Sequence, residues 1–230
     1  MMKIAIIPAR KGSKRFPGKN KALLGGKPLI SWTIESVLSS MIFDFVVFSS
    51  DCPDMLQIAG GYSGITIHKR PSYLAGDDVT TAQVTASILE NYNDIKICGL
   101  FMPTCPFRSS DDIIAAVQNL DASCDSVISM KKMEIIPDFL FRSSEEYLAK
   151  PIFGDFSKTY KKTRIQEHEP VFYPNGAIYL AHYNAFIEKK TFYLPKTRQY
   201  FMPAFRSVDI DTIFDFQYAE FILQSGVIKF

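Results

Sequence analysis

The chain has 230 residues, 47% of them hydrophobic and 22% charged, with a formal net charge of +2. That length and balance fit one globular domain with a full core, and the near-neutral charge argues against a nucleic-acid binder, because acids offset the cations and the cations concentrate in one loop. No apolar run approaches a membrane span, Met1–Pro8 is too short and too soon followed by charge for a secretory leader, and Cys52, Cys98, Cys105 and Cys124 form no C-x-x-C pair, so a reducing cytoplasm is expected.

The first element is a mostly apolar run, Lys3–Pro8, which reads as a buried strand. It opens into a loop with Gly12, Gly18 and six cations between Arg10 and Lys21. Glycines let backbone N–H groups approach an anion, and lysines and arginines neutralise phosphate. A helix over Leu29–Met41 follows, with Ile30, Thr33, Ile34, Val37, Leu38 and Met41 at helical spacing. Strands are then expected at Phe45–Ser49, Ile65–His68, Lys96–Met102, Ser126–Met130, Ala177–Ala181 and Ser207–Ile210. Helices fall between them at Asp54–Gly60, Thr80–Tyr92, Asp111–Leu120, Tyr183–Lys189 and Thr212–Gln224. This alternation predicts an α/β fold with a doubly wound, mostly parallel sheet, whose ligand lies beyond the strand carboxyl ends. Residues 131–170 break the rhythm with scattered aromatics and charges. They are expected to form an inserted arm that dimerises; a lid over the chain's own site is the competing reading.

The loop places a nucleoside triphosphate, although it fits neither common phosphate motif. Five residues separate Gly12 from Gly18, and Asn20 stands where a P-loop needs a hydroxyl. No G-x-G-x-x-G occurs. At the end of the last expected strand, Asp209 and Asp211 stand two apart and so share a face. Two carboxylates with phosphate oxygens suit magnesium. Asp211 could instead cap the helix at Thr212, as Thr80 or Thr81 could cap its own. His68, His168 and His182 form no constellation.

Five segments occur in one order: Ile7–Asn20, Arg70-Pro71, Pro103–Arg108 (Pro-Thr-x-Pro-x-Arg), Pro174–Tyr179 (Pro-Asn-Gly-Ala-Ile-Tyr) and Val208–Thr212 (Val-Asp-Ile-Asp-Thr). Together they resemble the acylneuraminate cytidylyltransferases, over about residues 3–224. The resemblance implies that CTP and a nine-carbon 2-keto sugar acid give a CMP-sugar and pyrophosphate, with Mg2+ as cofactor and a homodimer as the working form. It implies that Arg10, Gly12, Ser13 and Lys19 hold the triphosphate, with Lys19 at the α-phosphate. Asn20, Arg70 and Thr80 or Thr81 would lie at the nucleotide, and Asp209 and Asp211 would carry magnesium. Asn175, Met102 and the Lys162-x-Arg164-x-Gln166 segment would form the sugar side, the last reaching from a partner subunit.

Two positions depart from the pattern. Members of that family acting on sialic acid usually carry Gln where this chain has Met102, and a thioether cannot replace its hydrogen bonds; legionaminic or pseudaminic acid, with less polar surfaces, therefore stand beside sialic acid as expected substrates. Ile165 stands where relatives have consecutive arginines. The rival readings are a Kdo nucleotidyltransferase, disfavoured by Asn20 where those enzymes read Gly-Lys-Pro, and an idle nucleotide-binding protein, disfavoured by the retention of Lys19 with Asp209 and Asp211.

Overall fold

A computed structural model describes residues 1–135, 137–153, 155 and 169–228. Its first strand, β1 (Met2–Pro8), is buried on both faces from Ile4 onward, as a central parallel strand must be. The chain then passes through the basic loop into a two-residue hairpin, β2 (Leu23–Leu24) and β3 (Lys27–Pro28). Gly25 and Gly26 turn it with φ of 58° and 85°, the left-handed pair that such a tight hairpin needs. Helix α1 (Leu29–Ser39), β4 (Phe45–Ser50), α2 (Pro53–Gly60), β5 (Ile65–Lys69), α3 (Thr81–Leu89), β6 (Ile95–Leu100), α4 (Ser110–Gln118) and β7 (Ser126–Lys132) follow. Helices α3 and α4 begin in capping boxes, Thr80 with Gln83 and Ser109 with Asp112, which satisfy first-turn N–H groups.

The main sheet has the order β11-β7-β10-β6-β1-β4-β5. Pairs β1–β4, β1–β6, β4–β5 and β7–β11 are parallel; β10 (Phe172–His182) runs antiparallel to β6. Helices α5 (Tyr183–Lys189) and α6 (Ile213–Gln224) flank β11 (Thr197–Phe201) in sequence. Alternate β1 side chains enter opposite cores: Ala5 and Ile7 pack with Ile30 and Ile34 of α1, and Ile4 and Ile6 with Val84 and Ile88 of α3. That is the doubly wound arrangement the alternation predicts. A third cluster gathers Trp32, Phe107, Ile210 and Phe216.

Two elements differ from expectation. Among the described residues, Ser207–Ile210 pair with no strand. The run is apolar because Val208 and Ile210 fill the third cluster, and the Ile210 N–H goes to the Thr104 carbonyl at 2.8 Å. Conversely, β11 carries no apolar run; it is an edge strand with its odd residues exposed or half-exposed, so periodicity did not reveal it.

The chain divides into two units, Met1–Met130 with Pro174–Phe230, and Lys131–Tyr173. The second unit contains a short hairpin, β8 (Phe141–Ser143) with β9 (Ala149–Pro151), closed by Tyr147 at φ 61°. Tyr147, Leu148 and Phe153 are exposed in it.

Candidate active site

Beyond the carboxyl ends of β1 and β6 lies a cavity of about 710 Å³, lined entirely by the first unit. The basic loop forms one wall. Gly18, at φ 76°, turns the chain into a single 3-10 turn over Lys19–Lys21 and so drives Lys19 and Asn20 inward. Both are buried. The Lys19 Nζ donates to the Ile210 carbonyl and to the Asp211 carboxylate, each at 2.8 Å. Arg15 meets the same carboxylate at 2.6 Å. Arg10 and Lys14 pair with Asp77 across the cavity, at 2.7 and 2.6 Å. Asn20 Nδ2 donates to the Arg10 carbonyl at 3.2 Å, and its Oδ1 is buried with no partner among the described residues. An orphaned acceptor beside a cavity is a polar contact for a ligand to complete.

Arg70 reaches the same wall, its guanidinium donating to Ser49 Oγ and to the Ser49 carbonyl. Burial lowers its pKa, and Arg10 adds to that against the pull of Asp51. The opposite end is apolar, formed by Leu100, Met102, Tyr179, Phe192 and Tyr193. The Tyr179 ring lies 5.9 Å from Phe192 and 6.1 Å from Tyr193; burial, and then its hydrogen bond with Tyr193, push its phenol well above the usual range. One end of the cavity thus suits an anion, the other a partly apolar group.

Asp209 opens onto the cavity between these ends. Its carboxylate is exposed to the cavity, yet the surrounding protein raises its pKa by partial loss of solvent; the nearby charge of Asp211 adds, while Thr104 and Lys19 oppose. Among the described residues, no three His, Cys, Asp or Glu gather as a metal cage. The pair offers two hard oxygen donors and leaves other positions to water and phosphate, which is the donor chemistry magnesium takes.

Of the residues singled out from sequence, Arg10, Ser13, Lys19, Asn20, Arg70, Thr81, Met102, Asp209 and Asp211 line this one cavity. Gly12, Thr80 and Asn175 do not. Thr80 is occupied as the cap of α3. Asn175 is buried, with its amide turned to Ser129 and Ser207. Asp211 does not cap α6; Thr212 and Asp215 do. Lys162, Arg164 and Gln166 lie outside the described residues. Sequence reasoning missed Asp77 as a partner of two loop cations and missed the aromatic end. Tyr179 sat within a recognised segment, but Phe192 and Tyr193 carry no local signal.

The architecture matches a solved structure of CMP:2-keto-3-deoxy-manno-octonic acid synthetase complexed with CTP, with a TM-score of 0.70, 16% identity, and coverage of 99% of this chain and 100% of that one. This is the α/β nucleotidyltransferase fold. Residues 4–225 match the family model described as cytidylyltransferase. The chain belongs to the cytidylyltransferase family. It is 36% identical over 225 residues to the N-acylneuraminate cytidylyltransferase of Escherichia coli O18:K1:H7, covering 96% of this chain and 52% of that protein. It is 32% identical over 229 residues to the CMP-N,N'-diacetyllegionaminic acid synthase of Legionella pneumophila, covering 96% of each. The chain thus spans about half the length of the N-acylneuraminate relatives it matches.

Proposed function

We propose that the protein is a CMP-nonulosonate synthetase, joining CTP to a nine-carbon 2-keto sugar acid of the sialic, legionaminic or pseudaminic type. The observation that carries this reading is one cavity with a cationic loop at one end, an aromatic wall at the other and a carboxylate pair between them. In the reaction the anomeric hydroxyl oxygen of the sugar attacks the α-phosphorus. The bond to the bridging oxygen breaks, pyrophosphate leaves with its electron pair, and the hydroxyl proton is released.

Arg10, Ser13 and Lys19 hold and neutralise the triphosphate, and Asn20, Arg70 and Thr81 position the nucleoside. Lys19 is well placed for the α-phosphate because two fixed acceptors, Ile210 and Asp211, set its ammonium. Asp209 and Asp211 would hold magnesium, which when bound neutralises the phosphates and the leaving pyrophosphate. Met102, with Tyr179 and Tyr193, faces the sugar acid. The exposed apolar side chains of the second unit support a homodimer. Four free cysteines, all buried, suit a cytoplasmic setting.

The test is pyrophosphate release with CTP, magnesium and a panel of N-acetylneuraminic, legionaminic, pseudaminic and Kdo acids. Turnover confined to one or more nonulosonates is the expected result. Turnover with Kdo alone, or silence across the panel while CTP binds, would overturn the substrate assignment.

A further inference from the structure

The segment bearing Asp209 and Asp211 stands outside the sheet ladder, so side chains must fix much of its position. Asn175, in the first half of β10, supplies them. It is 3% exposed and uses its whole amide. Its Oδ1 accepts from the Ser129 hydroxyl at 2.6 Å and from the Ala177 N–H at 3.1 Å. Its Nδ2 donates to Ser207 Oγ at 2.8 Å and to Met202 Sδ at 3.4 Å. Two acceptor and two donor contacts exhaust what an amide offers. Asn175 therefore ties β7 and its own strand to the two ends of the stretch Met202–Ser207, which leads directly into Asp209.

The backbone beside it completes the socket. The Asn175 carbonyl accepts from Cys105 Sγ at 3.2 Å, and that sulfur lies 3.7 Å from Asp209 Oδ1. Gly176, at φ 81°, leaves room there: a Cβ would stand 3.1 Å from Cys105 Sγ and 3.7 Å from Asp209 Oδ2.

We infer that Asn175 is a positioning residue for the Asp209–Asp211 carboxylates, acting through Ser207 and touching no substrate. This rests on the reading that those carboxylates hold a divalent cation. Only an amide both donates to Ser207 and accepts from Ser129 with this reach.

The experiment compares wild type, Ser207→Ala, Asn175→Ala and the double variant. Ser207→Ala removes one hydroxyl and keeps the test alive if Asn175→Ala fails to fold. Binding of Mn2+ in the presence of CTP is measured by calorimetry, alongside kcat and KM. Each single variant should weaken Mn2+ binding and lower kcat by about tenfold, the lower range seen for groups that orient metal ligands. KM for the sugar acid should stay within about twofold, because an interaction lost without touching substrate leaves uniform binding unchanged. The double variant should lose no more than the worse single, since both break one connection. Wild-type Mn2+ binding with unaltered variants would overturn this inference alone. So would a raised KM for the sugar acid at unchanged kcat, which would put Asn175 against the substrate. A wild type that binds no Mn2+ with CTP would overturn the cation reading and this inference with it.

Discussion

Lys19 has two of its three donors held, by a backbone carbonyl and a carboxylate, and a buried stem that cannot swing away. A cation fixed in this way needs no reorganisation when charge develops at phosphorus. Lys19→Ala should therefore lower kcat about a hundredfold, or ~3 kcal/mol of transition-state stabilisation. Steady-state rates with saturating CTP would show it, and a loss of less than threefold would remove Lys19 from the mechanism. Met102, which lines the apolar end of the cavity, is proposed to face the other substrate. Its carbonyl is held by Arg108 at 3.1 Å, so the side chain projects from a fixed point on the apolar end. Met102→Gln should move the kcat/KM ratio toward N-acetylneuraminic acid over the legionaminic type by about tenfold, because an amide without a partner penalises the less polar sugar. A competition assay between the two acids measures the ratio directly. The place of the loop on the cavity wall was readable in the sequence, because its cations and glycines are concentrated in a short stretch after a strand. Asn175 was not. Its partners Ser129, Met202 and Ser207 lie 46, 27 and 32 residues away, and the local pattern shows only a turn.

Among the elements, α6 matters most to the site, because its capping box also holds Asp211. Asp215 Oδ2 accepts from the Thr212 N–H at 2.7 Å and from the Asp211 N–H at 3.0 Å. Burial raises the Asp215 pKa, but the Thr212 and Asp211 hydrogen bonds outweigh it and the net shift is downward. A carboxyl depressed on folding stabilises above its unfolded value and loses that contribution as pH falls through the folded one. Asp215→Ala should destabilise the protein by about 1 kcal/mol at neutral pH. The gap should close as pH falls below the ordinary carboxylate value of 3.8. Urea unfolding at neutral and acid pH would reveal a constant gap if the cap were uncharged. The sequence placed α6 to within a residue, since Thr-x-x-Asp before an apolar stretch states its start. It misplaced Ser207–Ile210 because an apolar run buried under a helix and one buried in a sheet look alike; only the destination of the backbone hydrogen bonds separates them.

For the molecule as a whole, the alternation of strands and helices predicted the layers correctly, yet the antiparallel course of β10 had no sequence signal, because strand direction depends on where the chain returns after residues 131–170. The second unit leaves Leu148 and Phe153 exposed, and the homodimer reading assigns that apolar surface to a second copy. Light scattering should give twice the chain mass, 26.0 kDa per copy, and Leu148→Glu with Phe153→Glu should give the single mass with an unaltered melting profile. A wild type of single mass at micromolar concentration would end that reading.

The same sheet order imposes a timetable on synthesis. Both neighbours of β7 in the sheet, β10 and β11, come after residue 171, as does the strand that covers the free edge of β6. A ribosome that has delivered three-quarters of the chain has released β1, β4, β5 and β6 as a sheet with an apolar edge open, and β7 with nothing to join. Unpaired edges of that kind are where growing chains stick to one another. The eleven residues Phe172–His182 bridge β7 and β6, so the two unfinished pieces join in one late step and β11 is added to the β7 edge afterwards.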